Sequence, residues 1–401
     1  PIFTVGAAGT TSSSSYEIAN SLRFNAVGSN NSLKRTNGSA GNQQTMTFSF
    51  WVKRSIVAED FGGGGLFGCG TADGDELNLT FRSNVIDLRW EMTNGTQGDF
   101  RTNRKFRDMS AWYHIVLALD STQSTSSNRI RIYVNGVEET SFGEAAYPNQ
   151  NLNFKINGTV EQEIGRFIRS DKSLVGYLAE FVFIDGQQLD ATSFGEFDST
   201  TGIWKPKKIG QQFAAGGGAG TNGFYLDFKD SSNLGNDASG NNNDFTVNNL
   251  TSIDQATDTC VENCTTLNPL ANIGSASTYE NGNTTITGNS NWGANPSTIA
   301  TGTTGKYYAE CKVVAQASAY SQFGIMSVEA VPNWTLGYVH TSADAIVWSI
   351  DHRSGQSKIE GTATDNVFVQ TPTSFSDGDI IGMAVDVDNG KLYFHRNGTY
   401  V

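Results

Sequence analysis

The chain has 401 residues, with 40 acidic against 27 basic side chains and a formal net charge of −13. That balance, with lysine and arginine scattered and no basic run, argues against nucleic acid and against anionic membrane as partners. Forty-four glycines, 24 phenylalanines, 7 prolines and almost no helical periodicity predict an all-β chain long enough for two antiparallel β-sandwich domains in tandem.

Residues 1–19 are rich in Gly, Ser and Thr, nearly uncharged, and carry too few large apolar groups to fold alone. They read as an arm that orders against a partner. The stretch lacks a basic leader and an apolar segment, so it does not read as a signal peptide. Pro1 at the start fits removal of an initiating methionine, and synthesis in a host cytoplasm is the expectation. No apolar run reaches the roughly 18 residues of a membrane span.

From Ser21 onward apolar and polar residues alternate, the mark of half-buried strands. Leu22, Phe24 and Ala26 share a face. Met46, Phe48, Phe50 and Val52 alternate with Thr45, Thr47, Ser49, Trp51 and Lys53, and Leu77, Leu79 and Phe81 follow. Trp112–Asp120 sets Ile115, Leu117 and Leu119 against His114, Val116 and Ala118. Ile130, Ile132 and Val134 then alternate with Arg131 and Tyr133, and Asn135-Gly136 supplies the positive φ of a tight turn. In the strand near 174–183, Leu174, Gly176, Leu178, Glu180 and Val182 are expected on one face, opposite Val175, Tyr177, Ala179, Phe181 and Phe183.

Residues 191–266 change to a polar, aromatic-spotted composition and read as an ordered connector that packs on the first domain. A second sandwich follows over 267–401. Its closing pair, Asp379–Val387 and Lys391–Arg396 followed by Asn397-Gly398, repeats the strand, turn, strand, Asn-Gly construction of 112–136. Cys69 and Cys311 lie in apolar, strand-like contexts and read as buried. Cys260 and Cys264 have the spacing of a local disulfide or of two free thiols, with no second Cys/His pair nearby to form a zinc site.

SLRFN, TFSFWVKR, WYHIVLALD with RIYVNG, and IGRF with GYLAEFVFIDGQQL resemble, in order and spacing, a laminin G-like, concanavalin A-like jelly roll over 20–190. GKYYAECKV, FGIM, LGY and GDIIGMAVDVDNGKLYFHRNG resemble a SPRY domain. Such domains place a strand after the Asn-Gly turn, so a neighbouring chain or further residues are expected to complete this sheet. The pairing of the two domains resembles tail-fibre or lectin-like virion proteins of tailed phages, marine podoviruses among them.

Asp73, Asp75 and Glu76 form the densest acidic cluster. Gly74 places it in a turn, read as a solvated loop. The alternative is calcium, which laminin G-like domains often bind, although calcium requires 6–8 oxygen ligands. No other cofactor is suggested. A jelly-roll glycosidase needs paired carboxylates in an E-x-D-x-E run, and none is present. His114 and His395 sit in strands and read as structural. Trp51, Trp90, Trp112 and Trp348 also sit in strands and read as packing residues. Trp292 and Trp334 lie in polar loops and are the candidates for stacking on a sugar.

These features define the expectation of a non-enzymatic phage virion protein, fibre-like or surface-displayed on the particle exterior. Its N-terminal arm would join other virion proteins. Its sandwiches would contact host-surface glycan or protein, with a homotrimer and no coiled coil as the expected assembly. A purely structural decoration or joining protein and a polysaccharide-cleaving enzyme are the alternatives.

Overall fold

The computed structural model describes residues 16–25, 30–57, 64–72, 74–168, 172–209, 218–271, 273–274, 277–288, 293–315, 320–326, 347–353, 359–360, 366–367 and 375–400. The chain divides into two compact units at Asn263/Cys264. Among the described residues both are built of antiparallel strands and short 3-10 turns.

In the first unit the strands are β1 (Ser21–Phe24), β2 (Ser32–Thr36), β3 (Thr45–Arg54), β4 (Gly65–Ala72), β5 (Asp75–Arg82), β6 (Val85–Glu91), β7 (Gln97–Thr102), β8 (Trp112–Asp120), β9 (Ile130–Val134), β10 (Val137–Glu138), β11 (Phe142–Ala145), β12 (Glu161–Ile164) and β13 (Gly176–Asp185). The segment after residue 190 adds β14 (Gly195–Phe197), β15 (Trp204–Pro206), β16 (Phe224–Leu226), β17 (Thr246–Asn248) and β18 (Gln255–Ala256). One sheet runs β10-β9-β8-β3-β13-β1-β18, with β16 also paired to β13. The other runs β11-β7-β6-β5-β4-β12-β2-β17.

The alternation read from the sequence places the core between these sheets. Phe48, Phe50, Ile115 and Leu117 of the first sheet meet Leu77, Leu79, Ile86, Leu88 and Trp90 of the second. Residues 191–263 are no mere connector. They supply β16, β17 and β18 to both sheets, and Phe224, Leu226, Phe245 and Leu250 to the core.

The outer face of the first sheet is also covered. Trp51, Trp112, Val116 and Tyr133 lie there under Ile18, Phe194 and Trp204. Trp204 Nε1 donates to His114 Nδ1 at 3.0 Å, so the ring proton sits on Nε2, against Ser49 Oγ at 2.9 Å. Burial pushes the His114 imidazole down to about 3, a structural histidine held neutral. Beside it the Asn135-Gly136 turn has φ of 48° and 82°. A Cβ on Gly136 would overlap the Trp204 ring.

One face assignment is overturned. β13 carries a bulge between Ala179 and Val182, with Glu180 at φ 51°. Leu178 and Phe181 both enter the core, while Ala179 and Val182 face outward. The strand slips by one residue because a carboxylate at the Glu180 position would otherwise point into hydrocarbon. Instead Glu180 Oε2 accepts from Tyr225 Oη at 2.6 Å and Tyr16 Oη at 2.7 Å.

Burial still pushes the Glu180 carboxyl up to about 7, although the two tyrosine donors and the Lys229 charge oppose this and only Asp227 adds to it. A raised carboxyl pKa favours the folded state at low pH. The contribution, on the order of 3 kcal/mol, is present below about 4.5 and is lost as pH rises to about 7. Urea titrations at pH 5 and pH 8 should show that difference, and Glu180→Gln should abolish it. An unchanged pH dependence in that variant would refute the assignment.

In the second unit β19 (Ile273–Gly274) pairs with β22 (Gly293–Ala294), and β20 (Thr278–Glu280) with β21 (Thr285–Thr287). Two four-stranded sheets follow. The first contains β23 (Lys306–Lys312), β28 (Ile380–Asp386), β29 (Lys391–Arg396) and β30 (Thr399–Tyr400), and the second contains β24 (Tyr320–Met326), β25 (Val347–Arg353), β26 (Ile359–Glu360) and β27 (Asn366–Val367). Ala309, Cys311, Ile381, Met383, Val385 and Phe394 form a core against which Phe323 and Ile325 pack. β30 pairs with β29 through Arg396–Thr399 and His395–Tyr400, so a short strand does follow the Asn397-Gly398 turn. Cys69 and Cys311 are buried, and all four cysteines are free thiols.

Candidate functional site

The two outer faces of the first sandwich differ in kind. The first sheet is sealed by apolar side chains, whereas the second is polar. In β5 the core takes Leu77, Leu79 and Phe81, leaving Glu76, Asn78, Thr80 and Arg82 outward. In β6 it takes Ile86, Leu88 and Trp90, leaving Asp87, Arg89 and Glu91 outward. In β7 Phe100 points in, with Asp99 and Arg101 outward. Register then builds a lattice: Thr80 beside Asp87 beside Arg101, and Asn78 beside Arg89 beside Asp99. Neighbouring strands are roughly 5 Å apart.

Asp87 is the centre of this face. It is 0% exposed, with Arg101 Nε at 3.4 Å and Arg82 Nη1 at 3.6 Å. Arg101 Nη2 also lies 2.7 Å from Asp99 and 2.8 Å from Glu144, and Arg89 lies 3.3 Å from Glu91. Burial, with Asp99 adding its charge, pushes the Asp87 carboxyl up to about 6 against the pull of both guanidinium groups.

Both Asp87 oxygens, Asp99 Oδ1, Asn78 Nδ2 and Arg101 Nε meet no hydrogen-bond partner within the chain. Asp87 and Arg101 Nε nonetheless face one another as an ion pair, and that attraction offsets part of the cost of their burial. Around this buried centre the side chains of Arg89, Glu91 and Glu144 are partly exposed, a charged set of donors and acceptors suited to the hydroxyls of a polyhydroxylated ligand. The 166–168 segment walls one side. There Ile168 N donates to Asn78 Oδ1 at 2.8 Å, over space that Gly68 keeps free of a side chain.

Of the residues singled out from sequence, Glu76 lies at the end of this face. Trp292, Trp334 and Asp73 lie outside the described residues. Asp75 and Glu76 are not in a turn: they open β5 and are buried. Lys155 Nζ sits 2.7 Å from Asp75 Oδ1, with the hydroxyls of Thr71 and Thr93 also donating to that carboxylate. Burial pushes the carboxyl up, but these donors more than offset it and leave it below the usual carboxylate value. Lys155 is thus the counter-charge of Asp75. Among the described residues no group of three or more His, Cys, Asp or Glu is arranged to hold a metal.

The polar face did have a sequence signal. Asp87-x-Arg89-x-Glu91 and Asp99-x-Arg101 alternate with buried residues, but a search for paired carboxylates passes over strands that carry arginine between them.

Residues 27–192 match the family described as the concanavalin A-like lectin/glucanases superfamily. Together with the two antiparallel sheets, this gives the first sandwich a laminin G-like, concanavalin A-like lectin fold. Among solved structures the chain is similar to a SAP-like pentraxin from Limulus polyphemus, at 15% identity over 43% of this chain and 79% of that one (TM-score 0.32). It is similar to a candidate carbohydrate-binding protein from Bacteroides ovatus, at 17% identity over 59% of this chain and 60% of that one (TM-score 0.38). It is also similar to domains LG4-5 of mouse laminin α1, at 10% identity over 96% of this chain and 77% of that one (TM-score 0.33). No curated protein matches the chain.

Proposed function

We propose that this chain is a non-enzymatic, lectin-like virion protein of a tailed phage, whose first sandwich binds a glycan through the outer face of β5–β6–β7. The observation that carries the binding reading is the polar lattice of this face, on which Arg89, Glu91 and Glu144 are partly exposed around the buried Asp87–Arg101 pair. A glycosidase needs one carboxylate free to attack and another to donate a proton. On this face Asp87, Glu91 and Asp99 are each held by an arginine, which favours binding over cleavage.

In this reading the N-terminal arm joins the chain to other virion proteins ahead of Tyr16, since Tyr16 and Ile18 are packed on the first sheet; the assembly is a homotrimer, and the partner is host-surface glycan or protein. The two four-stranded sheets of the second unit suit a SPRY-like sandwich. Their pairing with the lectin-like fold is what favours a phage attachment role over a joining protein without a receptor.

The test is a glycan array probed with the full chain, followed by calorimetry on any hit. Asp87→Asn and Arg89→Ala should each weaken binding about tenfold or more. The half-exposed Arg89 (side chain 40% exposed) should do so without a change in melting temperature. Undiminished binding in both variants, or release of new reducing ends when the hit is incubated with the protein, would overturn the reading.

A further inference from the structure

Of the ten large apolar side chains exposed among the described residues, four lie on one face of the β23–β28–β29–β30 sheet: Tyr308, Ile380, Tyr393 and Tyr400. Tyr393 is 45% exposed and Tyr400 is 64% exposed. The core takes Ala309, Cys311, Ile381, Met383, Val385 and Phe394, so the alternate residues of these strands point away from it. Register places Tyr308 and Tyr393 on either side of Ala384, and Glu310 and His395 on either side of Gly382. Beside these residues the middle strand contributes only Ala384 and Gly382, so the His395 ring lies over Gly382 and reaches Tyr308 on the far side. A Cβ on Gly382 would overlap the His395 imidazole.

The rings carry a directed hydrogen-bond chain. Gly398 N donates to His395 Nδ1 at 3.2 Å, which puts the ring proton on Nε2, 2.6 Å from Tyr308 Oη. Tyr308 Oη in turn donates to Glu310 Oε2 at 2.8 Å. Tyr308 and His395 stack with centroids 5.7 Å apart and planes 12° apart, while Tyr400 sets its edge against both His395 and Tyr393. The rings are fixed in place, and the Glu310 carboxylate keeps acceptor capacity at the end of the chain.

We propose that this face is a second glycan-binding platform, separate from the Asp87 face, on which pyranose rings of an uncharged polysaccharide stack on Tyr393 and Tyr308 while Glu310 accepts a hydroxyl. The C–H face of a pyranose matches an exposed aromatic ring. Tyr308 and Tyr393 stand two strand spacings apart, roughly 10 Å, about the length of two linked sugar rings. The core of a protein interface is depleted of charged residues. Here a carboxylate and a polarised hydroxyl chain stand among the rings, which a sugar uses and an apolar partner would have to desolvate.

The test is native affinity electrophoresis of the full chain in gels cast with laminarin, xylan, dextran or galactan. At least one of these should retard the protein. Tyr393→Ala and Tyr308→Ala should each cut the retardation constant at least tenfold, with Tyr393→Phe close to the parent. Tyr393 is half-exposed, so its variants should leave melting unchanged, while Tyr308→Ala also removes the partner of His395 and is read against its own melting temperature. Retardation lost with Asp87→Asn but kept in both tyrosine variants would overturn this platform while sparing the first face. No retardation in any gel would overturn it, as would tyrosine variants that alter only the sedimentation of the chain.

Discussion

Gly136→Val is expected to unfold the first sandwich at temperatures where the parent is intact, while Gly398→Val leaves both units folded. The two glycines occupy the same place in two Asn-Gly turns and have nearly the same φ, 82° and 81°. Valine in the left-handed region costs roughly 1–2 kcal/mol in either turn. At Gly398 nothing lies within 4 Å of the position a Cβ would take, so that cost stands alone. At Gly136 the new side chain must displace Trp204 from the sheet and strip His114 of its donor. Losing a buried tryptophan costs about 3–5 kcal/mol, a large part of the roughly 5–15 kcal/mol that holds a typical domain together. Scanning calorimetry should show a drop of roughly 10 °C or more for Gly136→Val, at about 2–4 °C per kcal/mol for a domain this size. Equal shifts in the two variants would refute the role of Trp204.

The second large effect is expected at Asp258. Its carboxylate accepts from Lys53 Nζ at 2.8 Å and from Trp112 Nε1 at 3.0 Å, beneath the segment that covers the first sheet. Lys53 is 1% exposed, so Asp258→Ala leaves an ammonium group buried with its main counter-charge removed. Breaking such a pair from one side costs about 3–5 kcal/mol, whereas replacing both members by apolar residues is often neutral. Urea denaturation should therefore show Asp258→Ala well below the parent and Lys53→Met/Asp258→Leu recovering most of the loss. A double variant no better than the single would show that the site depends on the charges themselves.

Much of the fold was legible because a half-buried strand writes its two faces into alternate residues. Met46–Val52, Leu77–Phe81 and Ile115–Leu119 all enter the core as their period requires. The period misleads at Glu180, where the bulge that takes its carboxylate out of the core reverses every face after it. Residues 191–266 were read as an ordered connector packing on the first domain because their strands are only two or three residues long. The tyrosine face of the second unit escaped because tyrosines inside strands look like packing residues. What exposes them is their accessibility on the side of the sheet away from its core. The Asp87 face escaped for a different reason: its unsatisfied atoms become visible only when neighbouring strands are set side by side.

The pairing of β1 with β18 and of β2 with β17 has a consequence for how the molecule is made. The strands that close the edges of both sheets come from residues more than 200 positions later in the chain. During synthesis β1 and β2 must wait, with their outer backbone groups unpaired, until Ala256 has left the ribosome. Such long-range closure is slow, and an open edge is a template for the wrong strand. The buried lysine, Lys53, whose partner also arrives last, keeps its charge in water until then.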